Sequence, residues 1–234
     1  MDARLRRKPM TTTAAPGGPG EEYYQQNYRS YDRQNPDYKL AYYRQRIEES
    51  RDRSLPKRIH DIGCGPGNFL AALENDWSRF GSDINTFAIE RAQQRLPAGR
   101  FALGSGAVDL LFAERFSVIT AFDVLEHVPA IEEAGANIVA QLVSGGIFLF
   151  VVPVYDGLSG PAIKLLDRDP THVHKRARQF WIDWAARHFT VLSWDGILRY
   201  LLPGGYYLHA VTSTMRGHTP AICVACRSRD SGRR

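Results

Sequence analysis

The stretch RIHDIGCGPGNFLAAL, residues 58–73, joins a short apolar run to a glycine-rich loop. Three glycines stand at alternate positions from Gly63 to Gly67, and Asp61 lies just upstream. A dinucleotide-binding fingerprint has glycines at relative positions one, three and six. Counted from Gly63, the sixth position is Asn68, so the register is a different one. The stretch predicts a strand, a ligand-binding glycine loop and a helix that begins at Asn68.

Downstream of this stretch, short apolar runs alternate with helical stretches. The run GIFLFVVPV at 146–154 is apolar on both faces, as a central parallel strand is. The alternation predicts an α/β fold with a doubly wound, mostly parallel, seven-stranded sheet. The strands are predicted at 58–62, 79–84, 100–103, 116–124, 146–154, 189–197 and 220–227, and the helices between them at 68–75, 86–96, 130–143 and 176–188.

Changes in composition divide the 234-residue chain into segments. The first residues are rich in Thr, Ala, Pro and Gly and bury too little apolar surface to fold. A tyrosine-rich polar stretch follows, and Pro36 within it begins a helix. Four segments are predicted: a disordered tail at 1–20, an N-terminal helical lid at 21–56, an α/β domain at 57–227 and a basic tail at 228–234.

The formal net charge of +5 lies in the two tails. Residues 1–8 and residues 227–234 each carry +3, so residues 9–226 sum to −1. A nucleic-acid-binding domain has its basic residues on the folded body. We therefore predict no nucleic-acid partner.

The cysteines and the apolar runs indicate in which cellular compartment the protein is expected. Cys223 and Cys226 lie three apart in the strand PAICVACR, so they point to opposite faces and neither bridge nor share a metal. No apolar run reaches the ~20 residues that span a membrane, and no apolar stretch follows the basic N-terminus. The expectation is a cytoplasmic protein with no membrane partner.

Asp83 ends the second predicted strand, beside the glycine loop. In open α/β sheets the ligand lies beyond the carboxyl ends of the strands, and an acid at this position accepts hydrogen bonds from ribose hydroxyls. The alternative is that Asp83 is the N-cap of the helix that follows.

DIGCGPG, GSDI and FSVITAFDVLEHV together resemble the first, second and fourth-strand motifs of the class I S-adenosylmethionine-dependent methyltransferases. The resemblance covers residues 35–153, with weaker support to 226, and is nearest to the small-molecule branch that includes the ubiquinone-biosynthesis O-methyltransferases. It implies a Rossmann-like methyltransferase domain at 57–227 and S-adenosyl-L-methionine as cofactor. The cofactor-binding residues that it implies are Lys39, Asp61, Gly63, Cys64, Gly65, Gly67, Asp83, Ile84, Ser105 and Phe122.

Within that set, Lys39 would contact the cofactor carboxylate, Asp83 the ribose, and Phe122 would line the cleft. The third-strand loop departs from the family pattern. Where family members often have an acid for the adenine amino group, this chain has Ser105 or Gly106. Adenine recognition is therefore expected to use main-chain groups and Ser105.

An oxygen or nitrogen acceptor that must lose a proton benefits from a nearby base, and histidine titrates near neutral pH. His172 and His174 lie in DRDPTHVHKRAR after the fifth strand, and His127 follows the fourth. His172 is the predicted general base, with His174 and His127 as alternatives and Asp156 as a further candidate. A histidine that only anchors the loop is the competing interpretation. No metal is predicted, because no ligand spacing is diagnostic.

The insert RYLLPGGYYLHAVTSTMRGH at 199–218 is long for a loop in a compact domain, which is typical of a functional segment. Its Tyr206, Tyr207 and Leu208 would suit an apolar acceptor. A homodimer contact is the alternative.

These features together predict a methyltransferase that acts on a small-molecule acceptor, with oxygen favoured. Two alternatives stay open: a methyltransferase of RNA or protein, and a non-catalytic cofactor-binding partner. The first has no [DN]PP[YFW] tetrad to support it, and the intact glycines, Asp83 and the histidine loop argue against the second.

Overall fold

A computed structural model describes residues 31–157, 160, 164, 169–201 and 207–229. Within them one sheet has eight strands in the order β3-β2-β1-β4-β5-β8-β6-β7. The strands are β1 Arg58–Ile62, β2 Ser78–Asp83, β3 Arg100–Leu103, β4 Phe116–Phe122, β5 Leu142–Pro153, β6 Phe189–Leu201, β7 Tyr207–Thr212 and β8 Ala221–Ser228.

The sheet is mixed. The first five strands pair in parallel, and β8, β6 and β7 continue the sheet in antiparallel pairs. The predicted α/β class and doubly wound order are confirmed. The strand count and the mostly parallel character are corrected to eight strands in a mixed sheet.

The extra strand comes from the insert, which was predicted to be a functional loop. Gly196 through Leu201 of β6 pair with Thr212 back through Tyr207 of β7. The sequence signals a hairpin here, because Pro203–Gly205 supplies turn residues between two β-prone runs. The predicted contribution of Tyr206 lies outside the described residues.

The helices flank the sheet. They are α1 Tyr31–Gln34, α2 Asp37–Ser50, α3 Asn68–Ala71, α4 Thr86–Arg95, α5 Ile131–Gln141 and α6 Arg178–His188, with 3₁₀ turns at Leu125–His127 and Arg216–His218. The predicted disordered tail at 1–20 lies outside the described residues, and of the predicted lid, α1 and α2 are described.

α3 is one turn long, although the sequence predicted a helix to residue 75. The Arg44 guanidinium donates to the Ala72 carbonyl, and Arg79 donates to the carbonyls of Leu73 and Glu74. The carbonyls of the three residues after the helix thereby find side-chain partners outside a helical ladder, and the chain turns toward β2.

The core lies on both faces of the sheet, as the period of two along β5 shows. Phe148 and Phe150 pack on one face, with α5 and α6, while Leu149 and Val151 pack on the other, under α2. Each such side chain, fully buried, stabilises the fold by about 1.5–3 kcal/mol. The predicted placement of the cysteines is also confirmed: Cys226 lies in the first core and Cys223 in the second, both as free thiols.

The order of the strands fixes where a ligand can bind. β1 lies between β2 and β4, so the chain reverses its direction of travel across the sheet there. A crevice opens at such a reversal, beyond the carboxyl ends of the strands. Of the helices in the described residues, none is both long and apolar enough to cross a bilayer.

Candidate active site

The glycine loop forms a tight turn at the carboxyl end of β1. Gly63, Gly65 and Gly67 all have positive φ, of 70°, 52° and 77°. The main-chain N–H groups of Gly63 and Cys64 donate to the Ser82 carbonyl at 2.8 and 3.0 Å, which ties the loop to β2. A Cβ on Gly63 would stand 2.3 Å from Cγ2 of Val124, so this position accepts only glycine without rearrangement.

Asp83 ends β2 directly beside this loop. Its carboxylate accepts from the Gly65 N–H at 3.0 Å and from the Asn85 N–H at 2.9 Å. Burial raises the pKa of Asp83 above its usual range. Asp83 is not the helix cap, because the Asn85 side chain accepts from the Ala88 N–H at the start of α4.

Asp61 lies one layer deeper, on β1. It is almost fully buried and accepts from the Thr120 hydroxyl of β4 at 2.6 Å. Burial raises its pKa to about 7, and the neighbouring charge of Asp83 acts in the same direction. Both predicted acids are therefore brought to the glycine loop.

Three other predicted cofactor residues lie at or just after the carboxyl ends of β2, β3 and β4, and Cys64 lies in the loop itself. Ile84 is exposed at the end of β2, and Ser105 is half-buried after β3. Phe122, at the end of β4, stacks on Tyr43 of α2 with ring centroids 4.2 Å apart. Cys64 is buried, and burial raises the pKa of its thiol.

Lys39, the remaining predicted cofactor residue, lies in α2. Its ammonium donates to the Gln34 carbonyl and to Asn35 Oδ1, both at 3.1 Å, and lies 5.0 Å from the centre of the Tyr207 ring. Only 6% of Lys39 is exposed, and burial lowers its pKa from 10.5 to about 8. A buried ammonium of this kind is suited to an anionic ligand.

Asp123 and Arg199 form an ion pair next to Lys39 that the sequence analysis missed. Both carboxylate oxygens of Asp123 accept from Nη1 of Arg199. Asp123 has a positive φ of 58°, which is unusual outside glycine. Burial acts to raise its pKa, but the Arg199 guanidinium and the Lys39 ammonium outweigh it and hold the pKa low. No local signal joins these residues, since Arg199 reaches Asp123 only once β6 has extended into the hairpin.

Two of the three predicted catalytic histidines lie together. The ring centroids of His127 and His172 are 4.7 Å apart. Nδ1 of His127 donates to the Thr171 carbonyl at 3.1 Å, and Nδ1 of His172 is hydrogen-bonded to the Tyr155 hydroxyl at 3.1 Å. Burial, and then the nearby His172, lower the pKa of His127.

The third histidine is an anchor in this structure. Nε2 of His174 donates to the Val128 carbonyl at 2.9 Å, and its main-chain N–H donates to the Glu126 carbonyl at 3.0 Å. Its ring packs against Trp181. The further candidate Asp156 is likewise engaged in an ion pair with Arg178 at 2.9 Å.

Glu126 was also missed. It is 1% exposed, in the turn after β4, and burial together with the charge of Asp123 raises its pKa well above the usual value. The sequence offered a hint, because a glutamate beside a histidine in a strand-end turn is placed to face the crevice. Its burial could not be read from the sequence.

The comparisons with known proteins agree on the fold and the family. The family profile described as "Methyltransferase domain" matches residues 30–211. A trans-aconitate 2-methyltransferase of Variovorax paradoxus is 31% identical over 188 residues, which cover 73% of this chain and 66% of that protein. The chain thus spans just under two thirds of the length of this relative.

Solved structures share the architecture at low identity. A SAM-dependent methyltransferase from Thermotoga maritima superposes with a TM-score of 0.60, 14% identity, and coverage of 88% of this chain and 98% of that one. The N-methyltransferase NodS of Bradyrhizobium japonicum, in complex with S-adenosyl-L-homocysteine, superposes with a TM-score of 0.52, 18% identity, and coverage of 74% and 78%.

The predicted resemblance to the ubiquinone-biosynthesis branch is not confirmed, because the similar relative carries a different name. The broader prediction of a methyltransferase domain is confirmed by the profile match, which covers more than half of the chain. The chain belongs to the methyltransferase-domain family.

Proposed function

We propose that this protein transfers the methyl group of S-adenosylmethionine to a carboxylate oxygen of a small organic acid, giving a methyl ester. The observation that carries the proposal is the pair of cations, Lys39 and Arg199, beside Asp123 at the end of β4. The similarity to a trans-aconitate 2-methyltransferase points to the same class of acceptor.

The arginine is well suited to a carboxylate. A guanidinium has five N–H donors in a planar fork that matches a carboxylate in bidentate geometry. Both hydrogen bonds to Asp123 come from one nitrogen, Nη1. Lys39 adds a second positive charge. Together with the single negative charge of Asp123, the two cations leave a net positive charge that favours an anionic ligand.

The cofactor end of the crevice follows from the resemblance. The glycine loop would approach the methionine part of the cofactor, Asp83 would accept from the ribose hydroxyls, and Ile84, Phe122 and Ser105 would line the cleft. What supports this is the narrow loop at Gly63 and the position of Asp83 beside it.

The chemistry of such an acceptor needs no base. A carboxylic acid of ordinary pKa, roughly 4, is already ionised at neutral pH. When bound, S-adenosylmethionine would supply an electrophilic methyl group, which the carboxylate oxygen would accept in line as the carbon–sulfur bond breaks toward sulfur. The methylated carboxyl group would become a neutral ester and the sulfonium a neutral thioether, with no proton released. Holding the two reactants in this alignment is then the main contribution of the protein.

A panel of acceptors tests the proposal. The protein is incubated with S-adenosylmethionine and, separately, trans-aconitate, citrate, acetate and a catechol, and methylated product is detected by mass spectrometry. Methylation of a di- or tricarboxylate, with a product that hydrolyses in mild base, is expected. Methylation of the catechol in preference to every acid would overturn the proposal.

One variant and a matched control test whether acceptor binding depends on Arg199. Loss of a hydrogen bond to a charged group costs roughly 1.5–3 kcal/mol, so Arg199→Gln should raise the KM for the acid at least about tenfold. The control is Arg187→Gln, which removes only an exposed ion pair with Glu132 on the outer helices. Such pairs contribute little, so its kinetics should match the parent.

A further inference from the structure

A second group of side chains lies beside the ion pair of Asp123 and Arg199. One ligand atom each from Glu126, His127 and His172 lies within 4.8 Å of the others. Glu126 and His127 come from the turn after β4, and His172 from the segment after β5. The fold therefore brings two nitrogen donors and one carboxylate together from separate parts of the chain.

The carboxylate of Glu126 is incompletely satisfied. Its Oε2 atom is buried and has no hydrogen-bond partner among the described residues. The acids Asp123 and Asp169 are its charged neighbours of like sign, while Arg199 is engaged with Asp123. A buried carboxylate oxygen without a partner is costly, so it calls for a proton or a cation.

The two imidazoles are oriented from outside the group. Thr171 accepts from Nδ1 of His127, and the Tyr155 hydroxyl holds Nδ1 of His172. Metal-ligating histidines almost always make such a bond through the nitrogen that does not bind the metal, because it fixes the ring and its tautomer. A carboxylate oxygen of Asp169 lies 4.0 Å from Nε2 of His172, within reach as a further ligand after a small movement.

We propose that Glu126, His127 and His172 bind a divalent transition-metal ion. Two imidazole nitrogens and one carboxylate oxygen are donors for zinc, manganese or iron(II), whereas calcium and magnesium prefer oxygen ligands alone. The inference does not rest on the acceptor proposed above, because the metal site is defined without it. The ion would lie where the chain leaves β4, next to the carboxylate-binding cations, with open positions for an oxygen ligand.

Metal binding by the full chain is the direct test. The protein is stripped with a chelator, the chelator is removed, and Zn²⁺ is titrated by calorimetry with Co²⁺ absorption as a second readout. One ion per chain is expected for the parent. His127→Ala and His172→Ala should each lower the affinity at least about tenfold, whereas His218→Ala, at an exposed histidine, should bind as the parent does.

Two further variants keep the test decisive if an alanine variant folds poorly. Tyr155→Phe removes only the hydroxyl on Nδ1 of His172 and should weaken metal binding by about 10–100-fold. Glu126→Gln should keep its fold, and Zn²⁺ should no longer raise its melting temperature. Equal Zn²⁺ affinity in the parent, His127→Ala and Tyr155→Phe would overturn the site, as would the absence of stoichiometric binding by the parent. The methylation assay is separate, so failure of the metal site and failure of the proposed acceptor are distinguishable.

Discussion

At the glycine-loop end of the crevice, residues 63–67 and Asp83 are held by hydrogen bonds that involve the main chain, whereas at the charged end Asp123 and Arg199 hold each other through their side chains. The Asp83 carboxylate accepts from two backbone N–H groups. At the charged end, by contrast, Lys39, Asp123 and Arg199 come from α2, the turn after β4 and β6. The first end is fixed by local chain geometry, and the second depends on distant elements packing correctly.

This difference indicates which end tolerates change. A main-chain site is disturbed most by altering backbone freedom, as at Gly63. A side-chain site can lose one charge and keep its fold, because the backbone around it is satisfied elsewhere. Substitutions at the glycine-loop end should therefore act on stability and cofactor binding together. Those at the charged end should act on ligand binding, with a stability cost where Asp123 loses its partner Arg199.

The largest effect is expected at Gly63. Gly63→Ala forces an alanine to φ 70° and sets its Cβ 2.3 Å from Val124. A left-handed residue costs about 1–2 kcal/mol and overpacking typically about 1–3 kcal/mol more. We expect urea unfolding to show a loss of about 2–5 kcal/mol, with a marked loss of cofactor affinity.

Gly145→Ala is the control for the backbone contribution. Gly145 has almost the same φ, 73°, but nothing lies within 4 Å of its Cβ position. It should lose only about 1–2 kcal/mol. In the double variant Gly63→Ala/Val124→Ala the clash is removed, so part of the stability should return. Equal losses in the two glycine variants would show that the crowding at Val124 contributes nothing.

The next effect concerns Asp83. If this carboxylate accepts from the ribose hydroxyls, Asp83→Ala should lower S-adenosylhomocysteine affinity at least about tenfold by calorimetry. Asn85→Ala is the matched control, since it removes the actual cap of α4. It should cost about 1 kcal/mol of stability and leave the affinity unchanged. A similar affinity for both variants would remove Asp83 from the cofactor site.

The same contrast explains what the sequence could predict. The glycine loop, Asp61 and Asp83 lie within one βαβ unit, so their proximity follows from strand–helix alternation and the switch-point rule. The ion pair of Asp123 with Arg199 joins residues far apart in the chain, and no periodicity reports such a meeting. Glu126 could be seen as a candidate only once its burial was known.

The errors in the predicted fold also arise from contacts between residues that are far apart in the chain. The strand β7 was predicted as a loop because its pairing partner, the end of β6, was assigned to the same insert. α3 was predicted too long because the arginines that bond the carbonyls just after it come from α2 and β2. Of the three candidate histidines, the fold brings His127 and His172 together, whereas His174 is bonded to the Val128 carbonyl.

The pH dependence of binding shows whether Lys39 contacts the cofactor or the acceptor. Its pKa is about 8, so the side chain is an ammonium below that pH and neutral above it. If Lys39 holds the cofactor carboxylate, S-adenosylhomocysteine affinity should fall between about pH 7 and about pH 9 by up to about tenfold. Lys39→Met should bind S-adenosylhomocysteine weakly at both pH values. Its remaining pH dependence gives the contribution of the ligand and of the other titrating groups of the site, Asp61 among them.

A different outcome would move Lys39 to the other ligand. If the cofactor affinity of the parent follows that of Lys39→Met across the range, Lys39 does not contact the cofactor carboxylate. A rise in the KM of the acid acceptor over the same pH range would then assign its charge to the acceptor.

The smallest effect on turnover is expected at His172, the predicted general base. A carboxylate acceptor has no proton to remove, so His172→Ala should keep kcat within a few-fold at saturating acceptor. A loss of rate through protonation of the acceptor should appear in the parent only near about pH 4. What His172→Ala should lose is acceptor affinity, because the ring supports the segment after β5 through Tyr155. A fall in kcat of about 10²–10⁴ would instead identify His172 as a base and the acceptor as a hydroxyl or amine. If His127→Ala shows this loss of kcat and His172→Ala does not, the same mechanism holds with His127 as the base, since the two imidazoles are neighbours.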